Sequence, residues 1–97
     1  MPRILKQSLA EQDLIEIRLY TLNEWGEYQS DKYLDDLDAA IRLLAEQPLI
    51  CRERTELNPP VRIHHHAHHL IVYLALKDGI NVIRVLHESM DVDSYVE

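Results

Sequence analysis

The feature that most constrains this chain is a single change of periodicity at Asn58-Pro59-Pro60. Before it, apolar residues recur three and four positions apart; after it, β-branched residues dominate in short runs. A chain that switches once from helical to strand spacing must bury a helical stripe against a sheet face, which predicts a two-layer α+β fold. Residues Ile4 to Gln7 fit a short opening strand. Ser8-Leu9-Ala10-Glu11 then reads as a capping box, with Ala10, Leu14, Ile17, Thr21 and Trp25 as the inner stripe of a first helix. Gly26 stops that helix, and a second starts near Glu27 to Ser30, with Tyr33, Leu37, Ala40, Ile41 and Leu44 facing inward. Gln47-Pro48 ends it, because a proline ring disfavours helix in the residue before it. The short connection makes the two helices an antiparallel hairpin.

Strands are predicted at Val61–His66, His69–Leu76 and Ile80–Leu86. Lys77-Asp78-Gly79 marks a hairpin, since Asp-Gly supplies the positive φ angles of a tight turn. Short links between the strands predict an antiparallel sheet of three to four strands. The 97 residues make one domain, 1–97, with a thin core.

Composition narrows the function. Ten Lys and Arg stand against 17 Asp and Glu, for a net charge of −7. A protein that grips phosphate backbones carries a basic face, and this chain has no basic run, so direct nucleic-acid binding is disfavoured and a protein partner expected. No apolar run approaches the roughly 18 residues of a membrane span, and no leader is recognisable, so a cytoplasmic protein is expected. The lone Cys51 fits a reducing compartment, as a loop or strand-edge thiol with no activating base beside it.

Several blocks resemble the ParE branch of the RelE/ParE toxin superfamily. Asp13-Leu14-Ile15-Glu16-Ile17, Trp25-Gly26, and Tyr33-Leu34 with Leu37 look like the family's helical hairpin, and Leu44-Ala45-Glu46-Gln47-Pro48 like its usual end. Arg54 matches an arginine before the sheet. Arg62 and His69-Leu70-Ile71-Val72-Tyr73 resemble the arginine strand and the His-x-Ile-x-Tyr strand. Ile83-Arg84-Val85-Leu86-His87 with Met90-Asp91 is similar to the Arg-Val-Leu-His…Met-Asp ending. The resemblance implies a toxin without enzymatic activity or cofactor, held by a cognate antitoxin with a DNA-binding N-terminal domain and directed at DNA gyrase. Leu14, Ile17, Leu37, Ile41, Arg62 and Tyr73 are the expected antitoxin contacts. Arg84, His87, Met90 and Asp91 are the expected target contacts.

The RelE branch shares the fold but cuts messenger RNA on the ribosome. That alternative needs Arg62 and Arg84 to hold a scissile phosphate and His87 to move a proton. The competing expectation is that the arginines pair with helix acids such as Asp35, Asp36 or Asp38. The remaining helix acids, Asp13 among them, read as a solvated face, and Trp25 and Tyr73 as core. His64-His65-His66-Ala67-His68 departs from the family, which places apolar and small residues there. Adjacent strand residues point apart, so this run reads as an exposed polar hairpin end and not a metal site. His69 is expected to be structural.

Overall fold

Gln7 passes the chain from strand to helix without a loop. Its amide still donates to the Val82 carbonyl (3.0 Å) while its own carbonyl accepts the Glu11 amide (3.0 Å). Gln7 is therefore the capping residue, extended at φ −71° and ψ 159°, and no side chain caps the helix. The capping box read at Ser8 does not form, because Ser8 is already inside the first turn.

The computed structural model describes residues 1–95. Strand β1 (Arg3–Lys6) leads into α1 (Ser8–Trp25) and α2 (Glu27–Glu46), followed by β2 (Glu53–Arg54), β3 (Val61–His66), β4 (His69–Leu76) and β5 (Gly79–His87). A 3-10 turn, Val92–Ser94, follows the last strand. One residue, Gly26, joins the helices at φ 89°, a conformation that only glycine adopts freely. Near this turn the helices approach closely enough for the buried Thr21 and Ser30 hydroxyls to bond at 2.8 Å.

The sheet has five strands in the order β1-β5-β4-β3-β2. The expected antiparallel sheet is thus corrected to a mixed one. β1 lies parallel to β5, Arg3 opposite Gly79 and Lys6 opposite Val82. A parallel pair needs a crossover, and here the helical hairpin and three strands supply it. Gly79 does not have the positive φ expected of the Asp-Gly turn. It is small for another reason: a Cβ placed on it would lie 1.8 Å from the Arg3 carbonyl oxygen. The left-handed residue of the hairpins is Ala67, φ 52°, in the turn between β3 and β4.

Both helices cover one sheet face. Ala10, Ile17, Leu37, Ile41 and Leu44 pack there against Ile71, Tyr73, Ile80, Val82 and Val85. Each such aliphatic side chain contributes about 1.5–3 kcal/mol by leaving water. The opposite face buries Leu57, Val61, Val72 and Leu86, with Val92 packed against them. Between these layers β5 carries an extra residue: Val72 faces Arg84 but Tyr73 faces Val82. An extra residue shifts a strand's alternation by one. After Ile83, it is therefore Val85 and not Arg84 that joins the helix-side core.

Candidate functional site: a groove between helix α1 and the end of β5

β1 stops at Lys6, so the outer edge of β5 beyond Val82 has no strand beside it. Asp13 of α1 fills the gap. Its carboxylate accepts the Val85 amide at 2.9 Å, and both oxygens accept from Arg84, Nε at 2.8 Å and Nη2 at 2.9 Å. The paired side chains are only 16% and 11% exposed. Hydrogen bonding to Asp13 raises the Arg84 pKa further. Asp13, expected on a solvated face, is thus buried. Its signal was present in its spacing: it lies three residues after Ala10 and four before Ile17, both buried. Arg84 does pair with a helix acid, but not with Asp35, Asp36 or Asp38; Asp38 bonds Arg42 at 3.3 Å.

Above this ion pair runs an open groove of about 660 Å³. Ile17, Tyr20 and Trp25 of α1 line one side and Val85, His87, Met90 and Tyr95 the other, with His68 and His69 also in the lining. Tyr20 stacks on Trp25 at 6.4 Å between ring centres. Trp25 meets Tyr33 edge-on at 6.1 Å. Tyr33 meets His69 at 5.6 Å, and His69 meets His87 at 5.5 Å. On the far side the Arg84 guanidinium lies 5.4 Å from the centre of the Tyr95 ring. Trp25 is 51% exposed and Tyr20 57%, which corrects the expectation that Trp25 is core. Tyr20 and Trp25 thus leave an apolar edge of the groove open to solvent.

The Tyr33 hydroxyl accepts the His68 amide (3.3 Å) and lies 2.6 Å from Nδ1 of His69. With Nδ1 unprotonated, the hydroxyl proton donates to it and the ring carries its own proton on Nε2. Burial, with smaller contributions from nearby histidines, pushes the His69 pKa down to about 4. His69 is neutral at pH 7 and anchors the sheet to α2. Beside it, Glu88 accepts from His65 and His68, each at 3.0 Å, and these bonds hold its carboxyl below the usual range. His64 instead lies 3.7 Å from the Cys51 thiol. No three His, Cys, Asp or Glu side chains converge as a metal site among the described residues.

The expected contacts separate into three places. Leu37, Ile41 and Tyr73 are at most 1% exposed, Ile17 is 8% exposed, and Leu14 packs half-buried against the same core. The space between hairpin and sheet is therefore filled by the chain's own side chains, these expected antitoxin contacts among them. Tyr73 spends its hydroxyl on the Pro48 carbonyl (2.9 Å), and burial raises its pKa. Arg62 donates to the Cys51 carbonyl and lines a smaller groove of about 310 Å³ with Leu49 and Leu74. Arg84, His87 and Met90 share the main groove. Asp91 caps the 3-10 turn, accepting the Asp93 amide at 3.2 Å.

The ribonuclease constellation does not assemble. Arg62 lies opposite Tyr73 on β3 and Arg84 opposite Val72 on β5, so β4 separates them. Arg84 is committed to Asp13, and Nδ1 of His87 to Ser89 at 2.7 Å.

A family model described as "ParE toxin of type II toxin-antitoxin system, parDE" matches residues 4–92. The chain is 38% identical over 92 residues to "Toxin ParE1" of Mycobacterium tuberculosis, covering 94% of each chain. It is 34% identical over 84 residues to "Toxin ParE" of Escherichia coli, covering 86% of this chain and 82% of that one. A Caulobacter vibrioides "Toxin ParE1" is 30% identical over 87 residues, covering 90% of each. A solved structure, "Chromosomal ParDE TA system from P. aeruginosa", superposes with a TM-score of 0.74 at 17% identity, over 90% of this chain and 96% of that one, and so shares the fold.

Proposed function

This chain belongs to the ParE toxin family of type II toxin–antitoxin systems, and from that premise we propose that it acts in the cytoplasm as a non-enzymatic toxin that binds DNA gyrase and is silenced by an antitoxin seated in the groove beside α1. The observation that carries the reading is the locked state of Arg84. The Arg84 charge is already balanced by the Asp13 carboxylate and only 16% of its side chain is exposed, which leaves it poorly placed to hold a phosphate, while the rings above it are open to a protein surface. His87, Met90 and Tyr95 form the wall of that groove nearest the target segment, so one segment of antitoxin can cover residues assigned to target contact. The antitoxin carries its own DNA-binding N-terminal domain, and its groove-binding segment folds on contact.

Two measurements test this. Purified protein added to gyrase and relaxed plasmid is expected to lower supercoiling and raise cleaved DNA; no effect across the micromolar range removes gyrase as the target. Cells making the protein are expected to show no new cuts in translated messages, and His87→Ala to lower toxicity only as far as it weakens gyrase binding. A folded but harmless His87→Ala variant, with cut transcripts in cells making the parent protein, would establish the ribonuclease instead.

A further inference from the structure

Resting on the reading that the main groove receives a protein segment, we infer that the segment is cationic: an amphipathic peptide whose apolar side covers Tyr20 and Trp25 and whose flanking lysines or arginines meet an acidic rim. The argument is one of charge left over after the chain has paired with itself. Helix α1 carries Glu11, Asp13, Glu16 and Glu24 against a single base, Arg18. The segment that follows Arg84 adds no Lys or Arg as far as Tyr95, and its acids are partly occupied, Glu88 by His65 and His68 and Asp91 by the amide of Asp93. Both arginines are already used. Arg18 bonds Asp31 across the helical hairpin at 3.0 Å, and Arg84 is held by Asp13. Glu16 lines the groove, and among the described residues it enters no ion pair.

The α1 side therefore presents the Glu16 carboxylate beside exposed aromatic rings, and the Lys and Arg side chains nearest to it are already paired. At physiological salt, charges act together over about 8 Å, so Glu16 and its neighbours on α1 bear on the same bound segment. An anionic segment is repelled there, and a nucleic acid more so. A purely apolar segment leaves rim carboxylates partly desolvated without partners, which is costly. A lysine or arginine satisfies them, and its stem or head can also lie on an aromatic face. Arg84 over Tyr95 already displays that last contact within the chain.

The test uses the chain's single tryptophan as its reporter, because Trp25 stands in the groove wall. The probes are two amphipathic peptides of about 18 residues with the same leucine face and no tryptophan, one flanked by lysines and one by glutamates. At about 50 mM salt the lysine peptide is expected to shift Trp25 emission and bind about tenfold tighter than the glutamate peptide, with the gap closing near 0.5 M. Glu16→Lys with Glu24→Lys, two exposed positions whose change leaves the fold intact by circular dichroism, is expected to reverse the preference. Equal affinities, a tighter glutamate peptide, or no emission change with either overturns the inference. A parallel titration with the protein encoded by the adjacent reading frame keeps the two readings apart. A shift in Trp25 emission that ignores salt leaves the groove reading standing and removes the cationic segment. Tight binding with no shift, unaltered by Trp25→Ala, removes the groove itself.

Discussion

Two carboxylates hold the end of β5, and they do so in opposite ways. Asp13, nearly sealed from water, grips an arginine and a backbone amide at once. Glu88, exposed, bridges two histidines on the neighbouring turn. The first pair is nearly sealed from water, so losing one member leaves the other stranded in a poorly solvated place. The second lies open to water, which can replace any partner it loses. The contrast teaches that the number of hydrogen bonds a carboxylate accepts says little about its weight; what matters is how much water replaces the lost partner.

Removing Asp13 is the strongest attempt to break this contrast. Asp13→Ala strands the Arg84 charge and the Val85 amide together, and is expected to cost about 3–5 kcal/mol, read as a lower urea midpoint. Adding Arg84→Met should recover much of the loss, because an apolar pair has nothing to desolvate; a double variant no more stable than Asp13→Ala would refute the account.

Acid is the next lever, and it acts on the histidine side. The folded-state pKa of His69 lies near 4, below the ordinary value of about 6.5. Between those values the unfolded chain binds the extra proton, so stability is full above about pH 6.5 and falls as pH drops toward 4. Glu88, also depressed, adds a loss in the same direction at lower pH still. His69→Gln is expected to flatten the slope between pH 6.5 and 4; an unchanged slope excludes His69 as its source.

Ala67→Gly probes the same turn through its backbone. An L-residue at φ 52° carries a steric cost that glycine lacks, offset by glycine's greater freedom when unfolded, so a gain of up to about 1 kcal/mol is expected in thermal unfolding. Smallest of all, Glu88→Gln should leave the unfolding midpoint at pH 7 unmoved. A drop comparable to that of Asp13→Ala would erase the distinction between the two carboxylates.

Local signals made most of the architecture readable. Gly26, Pro48 and the β-branched runs punctuate the chain where the elements begin and end, and the helical stripe from Leu37 to Leu44 is buried as its spacing demanded. What the pattern hid was long-range. Nothing near Ile4 announces that its partner is Ile80, and Gly79 read as a turn residue because the β1 backbone pressing on it comes from the other end of the chain. The one-residue slip at Ile83, which decides that Val85 and not Arg84 joins the core, leaves no mark on composition. At the site, Arg84, His87 and Met90 were found together because they are close in sequence. Asp13 was missed because acids on helices are so often wet, and Trp25 was placed inside because tryptophans so often are.

The parallel pairing of β1 with β5 also sets a schedule for biosynthesis. Arg3 to Lys6 leave the ribosome first but must wait for Gly79 to Val82 before they have anything to bond. Until then Asp13 has neither Arg84 nor the Val85 amide to seize, and the groove lacks its second wall. Completion of this sheet is a late event with a long loop to close, so the groove is among the last parts of the fold to form.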